Sequence, residues 1–378
     1  MNIENFQSGA YEQRYEYRAF LPNPICQEWL IADAELTDLL GRADRALGEL
    51  NAFGQLIPDM EFFLQMYVAK EATESSRIEG TQTNMEDAFM DVSDLDPEER
   101  DDWAEVQNYI QAIGQAIKEL ERIPLSNRLL CKTHQILLSG VRGKDKQPGE
   151  FRRSQNWIGP SLKNAVFVPP HHEHIQELMS DMEKFLHAEH LHVHPLLRIA
   201  IAHYQFETIH PFLDGNGRIG RLMISLYLTA EKLLAQPCLY LSDYMEKNKT
   251  AYVDHLMAVR EGNHLRSWLV FFLTGIEVTA KDSARVFREI LALKQNIEQD
   301  VMPHFSTRRQ AKAQMLMQIL YAQPVIDIKR VSSLTGTATN TAISLVRDFV
   351  KYGILEEITG QRRNRLFIFR NYISLFSA

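Results

Sequence analysis

Apolar residues recur at the spacing of an α-helix along most of this chain. Residues 33–51 show the pattern most clearly, through a stripe formed by Leu36, Leu39, Leu40, Leu47 and Leu50. Similar stripes continue to about residue 300, and they predict a mainly α fold. One stretch differs, because residues 149–170 carry two short apolar runs, at 156–158 and 165–168, around a Gly-Pro turn. That pattern predicts a small β-hairpin.

Beyond residue 300 the helical segments become short and the charge changes sign. The chain has 378 residues and a net charge of −8. Residues 303–378 nevertheless hold 11 Lys and Arg against four acidic residues, which gives +7 there and −15 in the rest. Three short helical segments precede two predicted strands, at 355–358 and 366–369, in the order of a winged helix. We therefore predict a helical N-terminal region (1–110), a core (111–300) and a winged-helix domain (301–378).

Composition argues against several classes of protein. The most apolar stretch, around residues 268–273, is far shorter than the roughly 20 residues that a membrane span requires. The polar N-terminal residues do not have the pattern of a signal peptide. The three cysteines, Cys26, Cys131 and Cys238, are widely separated and odd in number, which fits neither a disulfide framework nor a zinc site. These features predict a cytoplasmic protein without membrane contact.

The segment HPFLDGNGRIGR, residues 210–221, has the features of a phosphate site. Pro211 ends one helix, and a tight Asp-Gly-Asn-Gly turn precedes the next. The free N–H groups and positive dipole of that second helix would attract an anion. Arg218 and Arg221 are three residues apart, so both would lie on one helical face near the same end.

Two further side chains in this segment suggest chemistry. Asp214 would lie beside the anion site, where its carboxylate can hold Mg²⁺ between phosphates. His210 has an ordinary pKa suited to accepting a proton near neutral pH. A base, a metal carboxylate, a phosphate site and two arginines together predict nucleotidyl or phosphoryl transfer.

These twelve residues match every defining position of the Fic family motif, HPFx(D/E)GNGRxxR, and the chain resembles that family over roughly residues 60–300. Fic proteins are mostly adenylyltransferases, which move AMP from ATP onto Ser, Thr or Tyr hydroxyl groups of proteins. The resemblance implies a mainly α, Fic-type helical core in which the hairpin forms a flap. It also implies ATP and a protein as substrates, with Mg²⁺ as cofactor.

The resemblance further implies roles in proton transfer and target binding. His210 would be the general base on the target hydroxyl. Phe212 would anchor the loop in the core, and Asp214 would bind Mg²⁺. The flap, around Ile158 and residues 166–168, would align the target segment by strand addition.

The nucleotide contacts follow from the same resemblance. The backbone of residues 215–217 and the Asn216 side chain would hold the α- and β-phosphates. Arg218 would bind the outer phosphates and Arg221 the γ-phosphate, while the adenosine would lie at Tyr240 and Asn248. The full set of implied nucleotide-binding residues is Gly215, Asn216, Gly217, Arg218, Gly220, Arg221, Phe167, Val168, Tyr240 and Asn248.

An earlier segment, residues 75–80, reads SSRIEG. Ser75 and Glu79 are four residues apart and would share one helical face. With Gly80, they match the Fic family's inhibitory motif, (S/T)xxxE(G/N). A carboxylate that pairs with Arg221 would leave the phosphates of ATP misaligned for attack. The resemblance therefore implies autoinhibition by Glu79.

Other functions stay open from the sequence. Residues 301–378 could bind DNA or dock a protein, because polar and basic side chains fall on the predicted recognition helix and wing: Thr339, Asn340, Thr341, Ser344, Arg347, Arg362, Arg363 and Arg365. The chain could be a transcriptional regulator whose Fic core senses a nucleotide, although a pure sensor needs no base. It could also remove AMP or transfer another group. Self-modification and a homodimer are further expectations.

Overall fold

The computed structural model describes residues 3–57, 60–360 and 364–376. The fold is mainly α, which confirms the prediction. Among these residues, none of the helices has the length and apolar character needed to cross a membrane. The helices before the tail are α1 (Ala34–Leu56), α2 (Met60–Ile78), α3 (Arg100–Leu120), α4 (Asn127–Leu137), α5 (Ile175–His187), α6 (Pro195–Ile209), α7 (Asn216–Ala230), α8 (Ser242–Lys247), α9 (Lys249–Gly262) and α10 (Leu265–Asn296).

Helix α6 lies at the centre of the core. Every residue from Leu196 to Ile209 is buried, as expected for a helix that is apolar on nearly all sides. Neighbouring helices hold it by polar contacts as well, since Trp268 of α10 donates its indole N–H to the carbonyl of Ala200 at 2.8 Å. The functional segment follows directly, so α6 and α7 fix its two ends within a rigid core.

The long helices α1 and α10 pack against each other. The predicted leucine stripe of α1 faces inward, with Leu36, Leu39, Leu47 and Leu50 buried and Leu40 partly buried. Asp33 caps α1, because its side chain accepts the N–H of Leu36, which is the usual role of Asp at this position. Asp33 thus fixes the start of α1, and the apolar stripe sets the orientation of the helix.

The flap is less regular than predicted. Instead of two strands, the structure has a single antiparallel bridge between Ile158 and Phe167. A true hairpin lies elsewhere, formed by β1 (Gly9–Gln13) and β2 (Arg18–Pro22), which the sequence analysis did not predict. The two features are connected, because Phe20 of β2 donates its N–H to the carbonyl of Val168 at 2.9 Å. The flap therefore depends on a strand almost 150 residues earlier in the chain.

The C-terminal tail combines short helices with a small sheet. The sheet order is β3-β5-β4, all antiparallel, and β3 was not predicted. This order fits the winged-helix interpretation, which stays a prediction, as do the three domain boundaries; Arg362 and Arg363 lie outside the described residues. The elements are α11 (Thr307–Ala322), β3 (Val325–Asp327), α12 (Ile328–Thr335), α13 (Thr339–Lys351), β4 (Glu356–Glu357), β5 (Leu366–Ile368) and α14 (Arg370–Ile373).

The tail packs directly on α2, the helix that carries the predicted inhibitory motif. Phe63 of α2 contacts the rings of Tyr321 and Tyr372, at centroid distances of 5.1 and 6.3 Å. Tyr67 lies 5.2 Å from Phe376 in the same way. The buried apolar residues of core and tail form one continuous cluster, so the two parts share a hydrophobic interior.

Candidate active site

His210 occupies a strained position between α6 and the turn that follows. Its backbone is left-handed, with φ 50° and ψ 62°, which costs a non-glycine residue roughly 1–2 kcal/mol. Its N–H still donates to the carbonyl of Phe206 at 2.9 Å, so it ends the helix. Pro211 cannot continue α6, and the left-handed residue turns the chain sharply toward the phosphate segment.

The turn itself is held by Asn216. Its Oδ1 accepts the N–H of Phe212 at 2.8 Å, and its Nδ2 donates to the carbonyl of the same residue at 2.9 Å. The Asn216 side chain is buried and used within the loop. Resemblance to the family implied that this side chain binds phosphate, but in the structure its two polar atoms close the loop.

His134, which the sequence analysis missed, supports the same turn. Its ring stacks on Phe212 at 3.9 Å between centroids. Its Nδ1 accepts the N–H of Gly149, so Nε2 carries the proton and donates to the carbonyl of Asp214 at 2.9 Å. Burial lowers the pKa of His134 to about 4, which keeps the ring neutral and the pattern of hydrogen bonds fixed.

The N-terminus of α7 lies where the sequence predicts an anion site. Gly215 precedes it in a left-handed conformation with φ 74°, and no described side chain caps the first turn. The first N–H groups of α7 are therefore available to an anion. A β-carbon at Gly217 would collide with the Glu79 carboxylate, so Glu79 already occupies space beside this helix end.

Arg221 is paired with the predicted inhibitory motif. Its Nη2 lies 2.7 Å from Glu79 Oε1 and 2.9 Å from the carbonyl oxygen of Ser75, and its Nε donates to Ser75 Oγ at 2.9 Å. The Arg221 side chain is 2% exposed. Burial by itself would raise the pKa of Glu79, but the charge and hydrogen bond of Arg221 outweigh that effect and the pKa is lowered. Glu79 is consequently a carboxylate at neutral pH.

Arg218 has a different environment. Its Nη1 lies 3.1 Å from Glu105 Oε2, and its Nη2 lies 3.7 Å from Asp214 Oδ1. Both Arg218 and Glu105 are almost fully buried, so the pair is shielded from screening. Glu105 of α3 is a second residue that the sequence analysis missed, because the sequence gives no sign that it meets a residue 113 positions away.

Asp214 is the carboxylate that we expect to bind Mg²⁺. Its side chain is 36% exposed, and Oδ1 accepts the N–H of Gly215 at 2.6 Å. Among the described residues no group of three or more His, Cys, Asp and Glu side chains forms a metal site. Mg²⁺ commonly binds through one or two carboxylates and the phosphates of its substrate, so a single accessible carboxylate beside an anion site fits this ion.

The His210 ring is neutral in the structure, and its pKa lies well below the ordinary value that the sequence suggested. Burial, followed by the positive charges of Arg260 and Arg152, lowers the pKa of His210 to about 3, although Glu79 opposes the change. The ring is therefore neutral near pH 7. Its Nδ1 has no hydrogen-bond partner among the described residues. A neutral imidazole can accept a proton, but this low pKa makes it a weaker base than a free imidazole. The negative charge of a phosphate bound at the start of α7 would raise the pKa again.

The flap residues lie beside this site. Phe167 is buried, with the Arg260 guanidinium 3.9 Å above its ring. Val168 is also buried and its carbonyl is bound by Phe20, as described above. Val166 is 64% exposed, so of these three flap residues it presents the accessible side chain.

Three predicted nucleotide-binding residues are used elsewhere. Tyr240 lines a cavity of about 200 Å³ together with Glu71 and Tyr244, and none of the residues 210–221 lines it. Asn248 donates its side-chain N–H to the carbonyl of Tyr244 at 2.8 Å. Gly220 allows α7 to approach α6, because a β-carbon there would collide with Glu207 Oε1. Tyr240 thus lines a cavity that residues 210–221 do not reach, and Gly220 serves helix packing.

The chain is similar to proteins of one family. Residues 37–118 match the family model described as Fic/DOC family N-terminal, and residues 124–228 match the model described as Fic/DOC family. Over 110 residues the chain is 41% identical to the protein adenylyltransferase Fic of Drosophila erecta and 34% identical to that of Drosophila melanogaster. Each match covers 29% of this chain and 21% of the relative, so the chain spans about a fifth of these relatives' length.

Solved structures share the fold. A Fic family protein from Desulfovibrio desulfuricans superposes with a TM-score of 0.56 at 18% identity, covering 91% of this chain and 98% of that one. A Fic domain containing signaling protein from Bacteroides thetaiotaomicron gives 0.54 at 16% identity, covering 65% of this chain and 95% of that one. At these identities the likeness concerns the fold alone.

Proposed function

Because residues 37–118 and 124–228 match the two Fic/DOC family models, we propose that the chain is a protein adenylyltransferase of this family, held inactive by its own Glu79. It transfers AMP from ATP to a Ser, Thr or Tyr hydroxyl of a protein. The observation that carries this proposal is the position of Glu79, which lies beside Gly217 at the anion site and pairs with Arg221. The names of the Drosophila relatives support the AMP-transfer activity.

The geometry supports a direct transfer at the α-phosphate. His210, whose ring is neutral near pH 7, takes the proton from the target hydroxyl, and the negative charges of the bound phosphates raise its pKa toward the range that suits a base. The hydroxyl oxygen forms a bond to the α-phosphorus, and the bond from that phosphorus to the bridging oxygen breaks. Pyrophosphate leaves with the bonding electrons. The N–H groups at the start of α7 stabilise charge that develops on the phosphate oxygens.

Arg218, Arg221 and Asp214 would bind the rest of the triphosphate. Arg221 is buried and fixed at the side of α7, so it can hold the terminal phosphate only if Glu79 leaves it. Mg²⁺, when bound at Asp214, would neutralise charge on the departing phosphates. Arg218 remains paired with Glu105, which fixes its guanidinium near the same helix end.

Inhibition follows from competition for one guanidinium. The Glu79 carboxylate and a terminal phosphate both need the Nη atoms of Arg221, and both carry negative charge. ATP that enters while Glu79 is paired would have its outer phosphates displaced, which removes the in-line arrangement needed for attack. Release of Glu79, by a change in α2 or by substitution, would permit productive binding.

Incorporation of labelled AMP tests the proposal. The chain, Glu79→Gly and the double variant Glu79→Gly/His210→Ala are incubated with ATP and Mg²⁺, and intact protein is weighed by mass spectrometry. The proposal predicts addition of AMP by Glu79→Gly to itself or to an added cell extract, and none by the double variant. Absence of AMP transfer by Glu79→Gly would refute it.

A second candidate function is favoured by the surface of the tail. Thr339, Asn340, Thr341 and Arg347 of α13 are all exposed, and a cleft beside them is lined by Lys329 and Arg365. These side chains suit contacts to DNA bases and phosphates. A gel-shift assay with genomic fragments, with and without ATP, tests whether the chain is a regulator whose core senses the nucleotide. Unchanged migration of all fragments would exclude this candidate.

A further inference from the structure

Arg152 lies where the flap begins, and its guanidinium is directed entirely at backbone carbonyls. Its Nε donates to the carbonyl of His210 at 2.9 Å, and its Nη2 donates to those of Pro170 at 2.6 Å and Ile209 at 3.4 Å. Its Nη1 donates to the carbonyl of Ser154 at 3.0 Å. Arg152 is 2% exposed, so these contacts are internal to the protein.

This buried cation has no carboxylate partner within ion-pair distance among the residues that the structure describes. Burial lowers the pKa of Arg152 to about 10, and the group stays charged near neutral pH. The positive charge of Arg152 is compensated by the C-terminal end of α6, where the carbonyls of Ile209 and His210 form the negative end of the helix dipole. A charge held in this way is fixed in position by the helix that ends just before His210.

The four carbonyls belong to three different parts of the site. Ile209 and His210 lie at the C-terminal end of α6. Ser154 precedes the flap in the chain, and Pro170 follows it. The backbone adds to the connection, because Arg152 N–H donates to the carbonyl of Pro211 at 2.8 Å. One side chain therefore connects the base to both ends of the element expected to align the target.

We propose that Arg152 is a positioning residue for AMP transfer: it holds His210 in its left-handed conformation and fixes the flap at a set distance from the imidazole. The inference rests on the proposed function. Arg152 contacts neither ATP nor target in this role. It acts through His210, because a base that must meet a hydroxyl on a flap-bound segment needs both parts in one rigid unit.

The three nitrogen donors of the planar guanidinium group are essential to this role. A lysine at residue 152 would keep the charge but has a single nitrogen, which cannot reach carbonyls on three segments at once. Arg153 provides a matched control. It is the next residue along the chain, it is exposed, and it pairs with Glu150 on the surface.

The experiment compares Arg152→Lys and Arg153→Lys in the active Glu79→Gly background. Arg152→Lys is expected to lower kcat on the order of 10²-fold, the cost of misplacing a reacting group by about 1 Å, while KM for ATP stays the same. Arg153→Lys is expected to change neither constant. A loss confined to KM for ATP, or an unchanged kcat in Arg152→Lys, would overturn the proposal.

A second measurement is independent of activity. Amide hydrogen exchange, followed by mass spectrometry, should be faster in the peptide that contains residues 209–212 in Arg152→Lys than in its parent, with no change in Arg153→Lys. If Arg152→Lys does not fold, Arg152→Gln replaces it, because a single amide group also offers too few donors to reach carbonyls on three segments. If amide exchange in residues 209–212 is unchanged in the folded variant, the positioning role is refuted, even if the parent transfers no AMP. If the Glu79→Gly parent is inactive, only the proposed function is refuted.

Discussion

Glu79 and Arg221 are 142 residues apart in the chain, yet their side chains meet at 2.7 Å beside the N-terminus of α7. The Glu79 carboxylate takes the place at the anion site that a phosphate would need. Ser75 adds two contacts to the same guanidinium, one from its hydroxyl and one from its carbonyl. The motif at the end of α2 thus holds Arg221 by three hydrogen bonds, of which the one to Glu79 would have to break before a phosphate could bind this guanidinium.

Removal of the imidazole should abolish transfer without abolishing nucleotide binding. His210→Ala in the Glu79→Gly background is expected to lower kcat by about 10²–10⁴-fold, the usual contribution of general base catalysis. The N–H groups of α7 are untouched, so the affinity for ATP, measured by calorimetry, should change little. His187→Ala is a suitable control, because that ring hydrogen-bonds the carbonyl of Leu125 away from the turn. Equal kcat in His210→Ala and its parent would contradict the assignment of the base.

Loss of the Asp214 carboxylate should raise the Mg²⁺ requirement. Asp214→Asn keeps the size of the side chain but removes the charge that a cation needs. We expect the Mg²⁺ concentration for half-maximal AMP transfer to increase by about tenfold or more, since each factor of ten corresponds to only about 1.4 kcal/mol. Asp243→Asn, on α8, is the control. A Mg²⁺ titration that is the same for Asp214→Asn and its parent would exclude Asp214 as the metal ligand.

Buried Glu207 should make the stability of the protein fall as the pH rises. Burial raises the pKa of Glu207 to about 7, from an ordinary value of 4.5. The folded chain therefore binds this proton more tightly than the unfolded chain does, and the resulting stability is full below about pH 4.5 and lost as the pH rises to about 7. The maximum effect is about 3 kcal/mol. Glu207→Gln should remove that part of the pH dependence of the free energy of unfolding, measured by urea unfolding at about pH 5 and pH 8. The same pH dependence in Glu207→Gln and wild type would contradict this prediction.

The contacts between α2 and the tail predict one cooperative unfolding transition. Tyr372 is fully buried between Phe63, Tyr321 and Phe376. Tyr372→Ala should lower the free energy of unfolding by about 3–5 kcal/mol, as for other buried aromatic residues. Tyr15→Ala, which removes an exposed ring, should cost little. Differential scanning calorimetry should show one transition in the wild-type chain, and two separate transitions would mean that core and tail unfold independently.

The sequence predicted the parts of the site that are local. Gly215 and Pro211 favour a turn between two apolar helices whatever the rest of the chain does, so α6, α7 and the free N–H groups at the start of α7 could be expected from residues 203–224. The ion pair of Arg221 with Glu79 was expected only through resemblance to a family. Spacing shows that Ser75 and Glu79 share a face, but it does not show what that face meets.

The remaining features depend on contacts between distant segments. His134 and Glu105 lie on ordinary amphipathic helices, and only tertiary packing brings them to Asp214 and Arg218. The position of Tyr240 in a separate cavity could not be inferred for the same reason. The hairpin of β1 and β2 was missed because residues 9–22 lack a clear alternation of apolar and polar side chains.

Labelled AMP incorporation by wild type and Glu79→Gly, measured side by side, tests the central claim most directly. Glu79→Gly should be faster on the order of 10²-fold, because the phosphates of ATP can then align at Arg221. Glu74→Gly, which removes the α2 carboxylate that pairs with Arg77, provides the control and should stay as inactive as wild type. Equal rates for wild type and Glu79→Gly would contradict autoinhibition by Glu79.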